Sequence, residues 1–471
     1  MEPFLERAEQ AVWGWPLLLL ILLTGLVLTV RLRFLPLRRL PLAMRLLVRR
    51  PEGNPEVSPF GAFCTAMSAT IGTGNLVGVS TALAVGGPGA LVWMELSAIT
   101  GMAVKYAEGF LAVRYRFRGP DGTPRGGPFA YILLGLGSAW RPLAAAFALF
   151  GVLAGLGGVG TMVQLGSFTA CLRLWLERLG HPAETGFSPQ SLALGLALAV
   201  LAGLVMAGGI RRISRASSVL VPVMGGVYLA GCLWILLAHL PAVPGVLRSA
   251  AEGAFRPAPA FGGLLGAVQA GVSRGVFSNE AGLGTAPIAI AASSDDDPVR
   301  QGLIAMTASV FDTLLLCTLT GLVILLAGTW QGGVSAVCDA FARMLPLPPA
   351  LGSGLVVVCL GLFSFTTVVS WSYYAVCCLD FLTGGSRRFR RAYLLAYLLT
   401  AALAPCVSVR GVWMAANVCN AMMAVPNLIA VLLLQKPVLQ ATARRFPPAR
   451  GRRAARLPGR NRALAACAEE D

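Results

Sequence analysis

Charge is scarce in this sequence. Only 13% of its 471 residues are Asp, Glu, Lys or Arg, about half the ~25% of an ordinary soluble protein, and that excludes a soluble enzyme of usual composition. Histidine is nearly absent: His181 and His239 are the only two, so clustered imidazole ligands for a metal or haem are not expected. Neither an H-E-x-x-H motif nor a G-x-S-x-G elbow occurs, which argues against an intramembrane enzyme. No C-x-x-C pair is found among the eleven cysteines, and most stand singly in apolar stretches, as small core residues do. A G-x-x-x-x-G-K-[ST] loop is also missing, so ATP is not the expected energy source. Lys105 and Lys436 are the only lysines among 38 basic residues, an arginine bias that fits a GC-rich genome. The net charge of +17 comes in short bursts between apolar runs, which is the pattern of membrane loops and not of a nucleic-acid face.

Apolar runs are abundant. The chain is 56% hydrophobic, with a mean hydropathy of +0.72. A helix needs about 20 residues to cross the ~30 Å hydrocarbon core, and that ruler gives eleven candidates, near 12–31, 59–84, 89–113, 139–172, 190–209, 217–240, 262–292, 301–328, 350–380, 392–405 (the weakest, short and interrupted by Pro405) and 411–435. The first is too long for a cleaved signal and no small-residue cleavage site follows it. Alternate loops (31–57, 114–127, 209–216, 293–300, 384–391 and the tail after 435) carry 28 basic residues against 7 in the opposite set. The positive-inside rule then puts the N-terminus outside and the C-terminus in the cytoplasm, across the cell's inner or cytoplasmic membrane. The arginine-rich tail reads as a cytoplasmic, lipid-facing or disordered segment.

Two spans have polar, glycine-rich centres. The second reads Ala69-Thr70-Ile71-Gly72-Thr73-Gly74-Asn75, and the seventh Phe277-Ser278-Asn279-Glu280-Ala281-Gly282-Leu283-Gly284-Thr285. A glycine inside a helix costs about 1 kcal/mol relative to alanine, and freed backbone groups in lipid cost more, so such stretches persist only where protein or a cavity shields them. Either one alone is also explained by close helix packing through small residues. Together they fall five spans apart, as the first and sixth helices of a ten-helix core. That spacing is expected of a transporter built from two inverted five-helix repeats. The expected organisation is an extra N-terminal helix and basic loop (1–57), a first repeat (58–240), a second repeat (241–435) and a basic tail (436–471). At such breaks one half-helix end offers amides to a carboxylate and the other offers carbonyls to a cation. An ion channel would instead show a symmetric pore loop, not two unlike broken helices.

On these residues the chain resembles the alanine or glycine:cation symporter family, the sodium:alanine symporters. The resemblance runs through Ser58-Pro59-Phe60, Thr70 to Asn75, Gly86-Gly87-Pro88-Gly89-Ala90, Lys105-Tyr106-Ala107-Glu108 and Met162-Val163-Gln164. It continues in Arg274 to Gly282, Ala286-Pro287-Ile288-Ala289, Asp312-Thr313, Trp371-Ser372-Tyr373-Tyr374 and Pro426-Asn427. The resemblance implies an all-α membrane protein of eleven transmembrane helices, one extra N-terminal helix plus a leucine-transporter-like core. It departs from the family's usual residues at Ile290 (histidine), Asn417 (aspartate), Gly61 (glutamine) and Ala130 (tyrosine), which bears on substrate preference and ion stoichiometry.

The resemblance also implies roles. The substrate carboxylate is expected on the backbone amides of Thr73 and Gly74, and its ammonium on the carbonyls of Phe277 and Ser278 with Glu280 nearby; Glu280 is equally readable as a structural acid in the break. Gln164 and Trp371 are expected in the pocket, with Phe277 as a lid. Sodium is expected between the carbonyls of Ser68 and Ile71 and the hydroxyls of Thr366 and Thr367, an oxygen-only set suited to a hard cation. The alternative for the threonines is bonding back to their own helix. Asn75 belongs to the substrate site or, with Thr70 and Ser278, to a second cation position. Asp312 faces the ion region or a helix–helix hydrogen bond, Arg274 the outer gate. Lys105 and Glu108 are a structural pair or snorkelling residues. The implied function is symport of a small neutral amino acid, alanine or glycine, coupled to Na+; proton coupling or another neutral substrate on the same fold is the alternative. The partners are then the amino acid, sodium ion and membrane lipid, with no nucleic acid.

Overall fold

The computed structural model describes residues 2–49, 56–119, 122–181, 186–255, 263–407 and 409–447; the expected tail beyond 447 lies outside the described residues. The chain is almost wholly helical. It opens with α1 (Glu2–Val12) and α2 (Trp15–Arg31), which read as one span interrupted by a turn at Trp13 and Gly14. Next comes a helix in two halves, α3 (Pro59–Thr70) and, after a wide turn at Gly74–Gly78, α4 (Val79–Gly86). The core continues through α5 (Ala90–Arg114), α6 (Arg141–Gly157), α7 (Met162–Arg178), α8 (Pro189–Met206) and α9 (Gly209–Ala238). A second interrupted helix follows, α10 (Gly263–Asn279) and α11 (Ala286–Ile290). Further along come α12 (Pro298–Leu326), α13 (Pro349–Thr383), α14 (Arg387–Leu403), α15 (Val409–Leu433) and α16 (Gln435–Arg445), with shorter helices in the connections between the labelled elements.

Among the described residues, seven segments are long and apolar enough to cross a membrane, and the pair Pro59–Thr70 with Gly74–Gly86, bent by 51°, makes an eighth. Three more expected spans are helical but do not qualify on length and apolarity. Helix α5 carries Glu95, Lys105 and Glu108, α10 and α11 are separated by irregular chain, and α14 has 17 residues. One feature departs from an all-α chain: a two-stranded hairpin, β1 (Phe117–Arg118) and β2 (Pro124–Arg125), pairs antiparallel with Phe117 opposite Arg125. Arg125 at its end bonds Asp380 at 2.7 Å, and Arg390 holds the same carboxylate at 2.5 Å.

Helix starts follow local chemistry. Ser58 caps α3 by accepting the Gly61 amide at 3.0 Å, with Pro59 at the first helical position. Asp297 caps α12 through Val299 and Arg300 at 2.9 and 3.2 Å, with Pro298 next. Small residues set the close packing of the helices. The position of a Cβ on Gly25 of α2 lies 2.9 Å from Thr100 of α5, and that on Gly109 of α5 lies 2.5 Å from Ala305 of α12. Such approaches allow backbone-to-backbone contact that larger residues prevent. Helix α1 packs on α15 and α2 on α5, so the leading helix touches two separate core elements. Leu19, Leu23, Leu26 and Val30 of α2 remain exposed.

Candidate functional site

The two interruptions meet in the interior. In the first, α3 ends at Thr70, Ile71 is extended (φ −71°, ψ 107°), and helical turns resume at Gly74. Glycine leaves room here for close neighbours. A Cβ on Gly72 would stand 2.7 Å from Gln164 Oε1 and 3.0 Å from Thr367 Oγ1, and one on Gly74 only 3.1 Å from Ser278 Cα. Gly74 and Ser278 thus bring the two breaks into contact.

The second interruption turns through left-handed backbone at Glu280 (φ 55°), Gly282 (φ 89°) and Gly284 (φ 78°). A left-handed conformation is routine for glycine and uncommon for glutamate, so Glu280 is held there by its partners. Its amide donates to the Val276 carbonyl at 2.9 Å. Its carboxylate accepts from Thr285 at 2.6 Å and from Thr70, on the first broken helix, at 3.4 Å. Through these two hydroxyls Glu280 braces the two breaks. Freed backbone groups find side chains: the Gly282 amide donates to Glu108 at 3.2 Å, and Asn427 donates to the Gly282 carbonyl at 2.8 Å and to Glu108 at 2.6 Å. Tyr131 in turn donates to Asn427. Every one of these lies inside the protein, as unwound backbone at membrane depth must.

Between the breaks lies Asp312. Its two carboxylate oxygens accept from Asn75 Nδ2 at 2.7 Å, Ser278 Oγ at 2.9 Å and Thr313 Oγ1 at 2.9 Å. Of the two readings of Asp312, the helix–helix hydrogen bond is therefore made, to both broken helices at once. Asn75 also accepts the Gly72 amide at 3.0 Å across the turn. Gln164 reaches in from α7 to accept the Thr73 amide at 3.1 Å.

The expected ion ligands divide. Thr367 Oγ1 sits 3.1 Å from the carbonyl oxygens of both Ser68 and Ile71 and 2.9 Å from that of Phe363. Thr366 does not join them: its hydroxyl bonds the Phe363 carbonyl at 3.0 Å and faces Met224 sulfur at 3.6 Å. Adjacent helical residues point about 100° apart, so one threonine of the pair faces α3 and the other turns to α9. Ser370, one turn beyond Thr367, takes up the contact with α3 through the Ser68 hydroxyl at 2.5 Å.

Trp371 is fully buried, packed edge-on to Tyr374 at 5.7 Å. Polar atoms on these elements that are buried with no hydrogen-bond partner among the described residues include Thr73 Oγ1, Asn279 Nδ2, Trp371 Nε1 and Tyr374 Oη. Buried polar groups are ordinarily paired, so these are the atoms a polar ligand would satisfy. Phe277 stacks on Trp413 at 5.0 Å and lines the floor of a cavity of about 910 Å3 on the side of the N-terminus, which also holds Glu9, Val77, Arg274 and Asn417. Arg274 lies over the Trp413 ring at 5.8 Å. Asn417 donates to Glu9 at 2.5 Å, so a carboxylate does reach position 417, from the first helix.

One of the two readings of Lys105 and Glu108, snorkelling, falls. Lys105 and Glu108 are each 1% exposed, so neither snorkels; Glu108 braces the second break, and the Lys105 ammonium has no hydrogen bond among the described residues. Asn427, Tyr131 and Ser370 were not assigned roles from sequence, although Asn427 belongs to the Pro426-Asn427 pair and polar side chains at membrane depth are costly. Among the described residues no group of three His, Cys, Asp or Glu could hold a metal, whereas the carbonyl and hydroxyl oxygens around Thr367 suit an alkali cation.

The family described as "Sodium:alanine symporter family" matches residues 1–450. An uncharacterized transporter of Haemophilus influenzae is 42% identical over 94% of this chain and 95% of its own length. The sodium/alanine symporter AgcS of Methanococcus maripaludis is 38% identical over 93% of this chain and 95% of its own. Among solved structures, MhsT in complex with L-phenylalanine superposes with a TM-score of 0.59 at 17% identity, over 83% of this chain and 93% of that one. The last likeness is one of fold, the leucine-transporter fold.

Proposed function

The chain belongs to the sodium:alanine symporter family, a multi-pass membrane transporter and not an enzyme, and we propose that it imports a small neutral amino acid, alanine or glycine, together with sodium. The observation that carries this reading is the Thr367 hydroxyl held at 3.1 Å from two carbonyls at the end of a broken helix. The Ser68, Ile71 and Phe363 carbonyls with Thr367 would hold the ion by oxygen alone. The amino acid would lie at the neighbouring contact of the two breaks. Its carboxylate would meet the Thr73 and Gly74 amides, the first after exchange with Gln164, and its ammonium would meet carbonyls of Phe277 and Ser278. Asn75 and Ser278, both on Asp312, fix the breaks relative to each other. Trp371 forms the wall and Phe277 the lid towards the large cavity.

Access would alternate because the ion joins α3 to α13. With the ion bound, the broken helices are tied to the long helix behind them; without it, the tie rests on Thr367 alone. The two five-helix sets, 58–240 and 241–435, would supply the moving and static parts. The cavity beside α1 would open to the outside, with the N-terminus out and α16 in the cytoplasm of a cytoplasmic membrane. The driving force is the ion gradient plus the potential, about 2.3 kcal/mol per charge per 100 mV.

The test is uptake of labelled alanine, glycine and glutamine into proteoliposomes at fixed pH. The expected result is alanine or glycine uptake that requires inward sodium and survives a protonophore. Uptake indifferent to sodium and abolished by the protonophore would replace sodium with the proton; uptake of glutamine alone would replace the substrate.

A further inference from the structure

We infer that the arginine-lined cavity between the loop after α2 and helix α16 is a binding site for the phosphate headgroup of an anionic phospholipid. The cavity holds about 440 Å3, and Arg31, Arg33, Arg38 and Arg39 converge on it from one side, with Leu439 and Phe446 on the other. That volume lies within the range of small-molecule sites. Among the described residues no Asp or Glu lines it. Arg31 donates to Gln435 at 2.7 Å and Arg39 lies over the Phe446 ring at 4.6 Å. Both contacts are with neutral partners and fix the two guanidinium groups without neutralising them. Arg33 and Arg38 have no hydrogen bond or ion pair among the described residues. Four like charges gathered around one hollow repel, and an anion removes that cost; phosphate matches the guanidinium fork in charge and shape.

A lipid, and not a soluble phosphate, follows from what adjoins the cavity. Leu19, Leu23, Leu26 and Val30 of α2 are 47%, 53%, 50% and 54% exposed. Their spacing of four, three and four residues keeps them on one stripe of the helix. The stripe ends one residue before Arg31. An acyl chain laid along it would carry a headgroup directly to the arginines, and basic pockets at the cytoplasmic ends of membrane helices are sites of that kind. The turn that aims the arginines is unusual, with both Arg33 and Phe34 left-handed (φ 56° and 57°); their amides are held by the Val30 and Thr29 carbonyls at 2.9 and 2.8 Å.

The test uses the full chain in neutral detergent and does not depend on transport. Binding is followed by the thermal unfolding midpoint and by native mass spectrometry on titration with phosphatidylglycerol, phosphatidylcholine or pyrophosphate. Phosphatidylglycerol is expected to bind and stabilise, and the other two are not. Each basic residue beside an anionic headgroup is worth about fivefold, so Arg33→Gln with Arg38→Gln is expected to weaken phosphatidylglycerol binding about 25-fold. Arg387→Gln with Arg388→Gln, which removes the same charge from exposed positions on α14, is expected to change it less than twofold. Leu439→Trp, which fills the hollow and keeps all four arginines, is expected to block binding and covers the case in which the double variant fails to fold. Equal losses in the two arginine pairs, full binding by Leu439→Trp, equal binding of phosphatidylcholine, or stabilisation by pyrophosphate matching that by the lipid would each overturn the site.

Discussion

The Thr367 hydroxyl bridges two carbonyls, those of Ser68 and Ile71, from the helix behind them, at 3.1 Å each. Thr367→Val removes that oxygen and leaves the shape nearly unchanged. Half-saturation by sodium in uptake assays is expected to rise at least about tenfold, or ~1.4 kcal/mol. Thr366→Val, one residue away, is expected to change it less than about threefold, because that hydroxyl faces Met224 and its own helix. Equal effects in the two variants would remove the distinction between them.

Gly72→Ala and Gly74→Ala test the contact of the breaks. A methyl group on Gly72 would displace Gln164 and Thr367 together, and one on Gly74 presses on backbone at Ser278. Gly72→Ala is expected to abolish uptake, with a fold loss of roughly 1–3 kcal/mol, the usual range for overpacking. Circular dichroism and the unfolding midpoint would separate a failed site from a failed fold.

Asp312 receives three donors, from Asn75, Ser278 and Thr313. In Asp312→Asn one acceptor oxygen becomes an amide that points donor against donor. The expected cost is about 1–3 kcal/mol, seen as a lower unfolding midpoint, with loss of uptake. Asn75→Ala is expected to cost less, since it leaves Ser278 and Thr313 on the acid.

At position 417 the amide donates to Glu9 at 2.5 Å. Asn417→Asp would set two carboxylates face to face, and destabilisation of about 1–3 kcal/mol is expected at neutral pH. Adding Glu9→Gln restores one donor and one acceptor, and the double variant is expected to recover most of the loss. A double variant as unstable as Asn417→Asp alone would show that the contact of α1 with α15 is not made through these groups.

The breaks were legible because membrane interiors penalise what they contain: glycine pairs and freed peptide groups survive only with shielding, so Gly72–Gly74 and Gly282–Gly284 announced themselves. The family resemblance then named the elements around them. Thr366 against Thr367 was not legible, since neighbouring residues on a helix face different partners and nothing in the string says which faces α3. Of the two readings of Lys105 and Glu108, snorkelling failed for a related reason. Their position along α5 suggested a water-facing end, yet α5 is packed on several sides, and the Glu108 partner Asn427 lies 319 residues away. Glu9 escaped notice because its value depends on a polar residue at the far end of the chain.

The leading helix is fastened at two places. Trp13 donates to the Asn417 carbonyl at 2.9 Å and Glu9 accepts from the same residue, tying α1 to α15, while Gly25 seats α2 against Thr100 of α5. A strap anchored to two bodies has to flex between its anchors whenever they shift. Pro16, which has no amide to donate, keeps Trp13 and Gly14 from being drawn into an unbroken rod, so the slack for that flexing is stored within a few residues near the start of the chain.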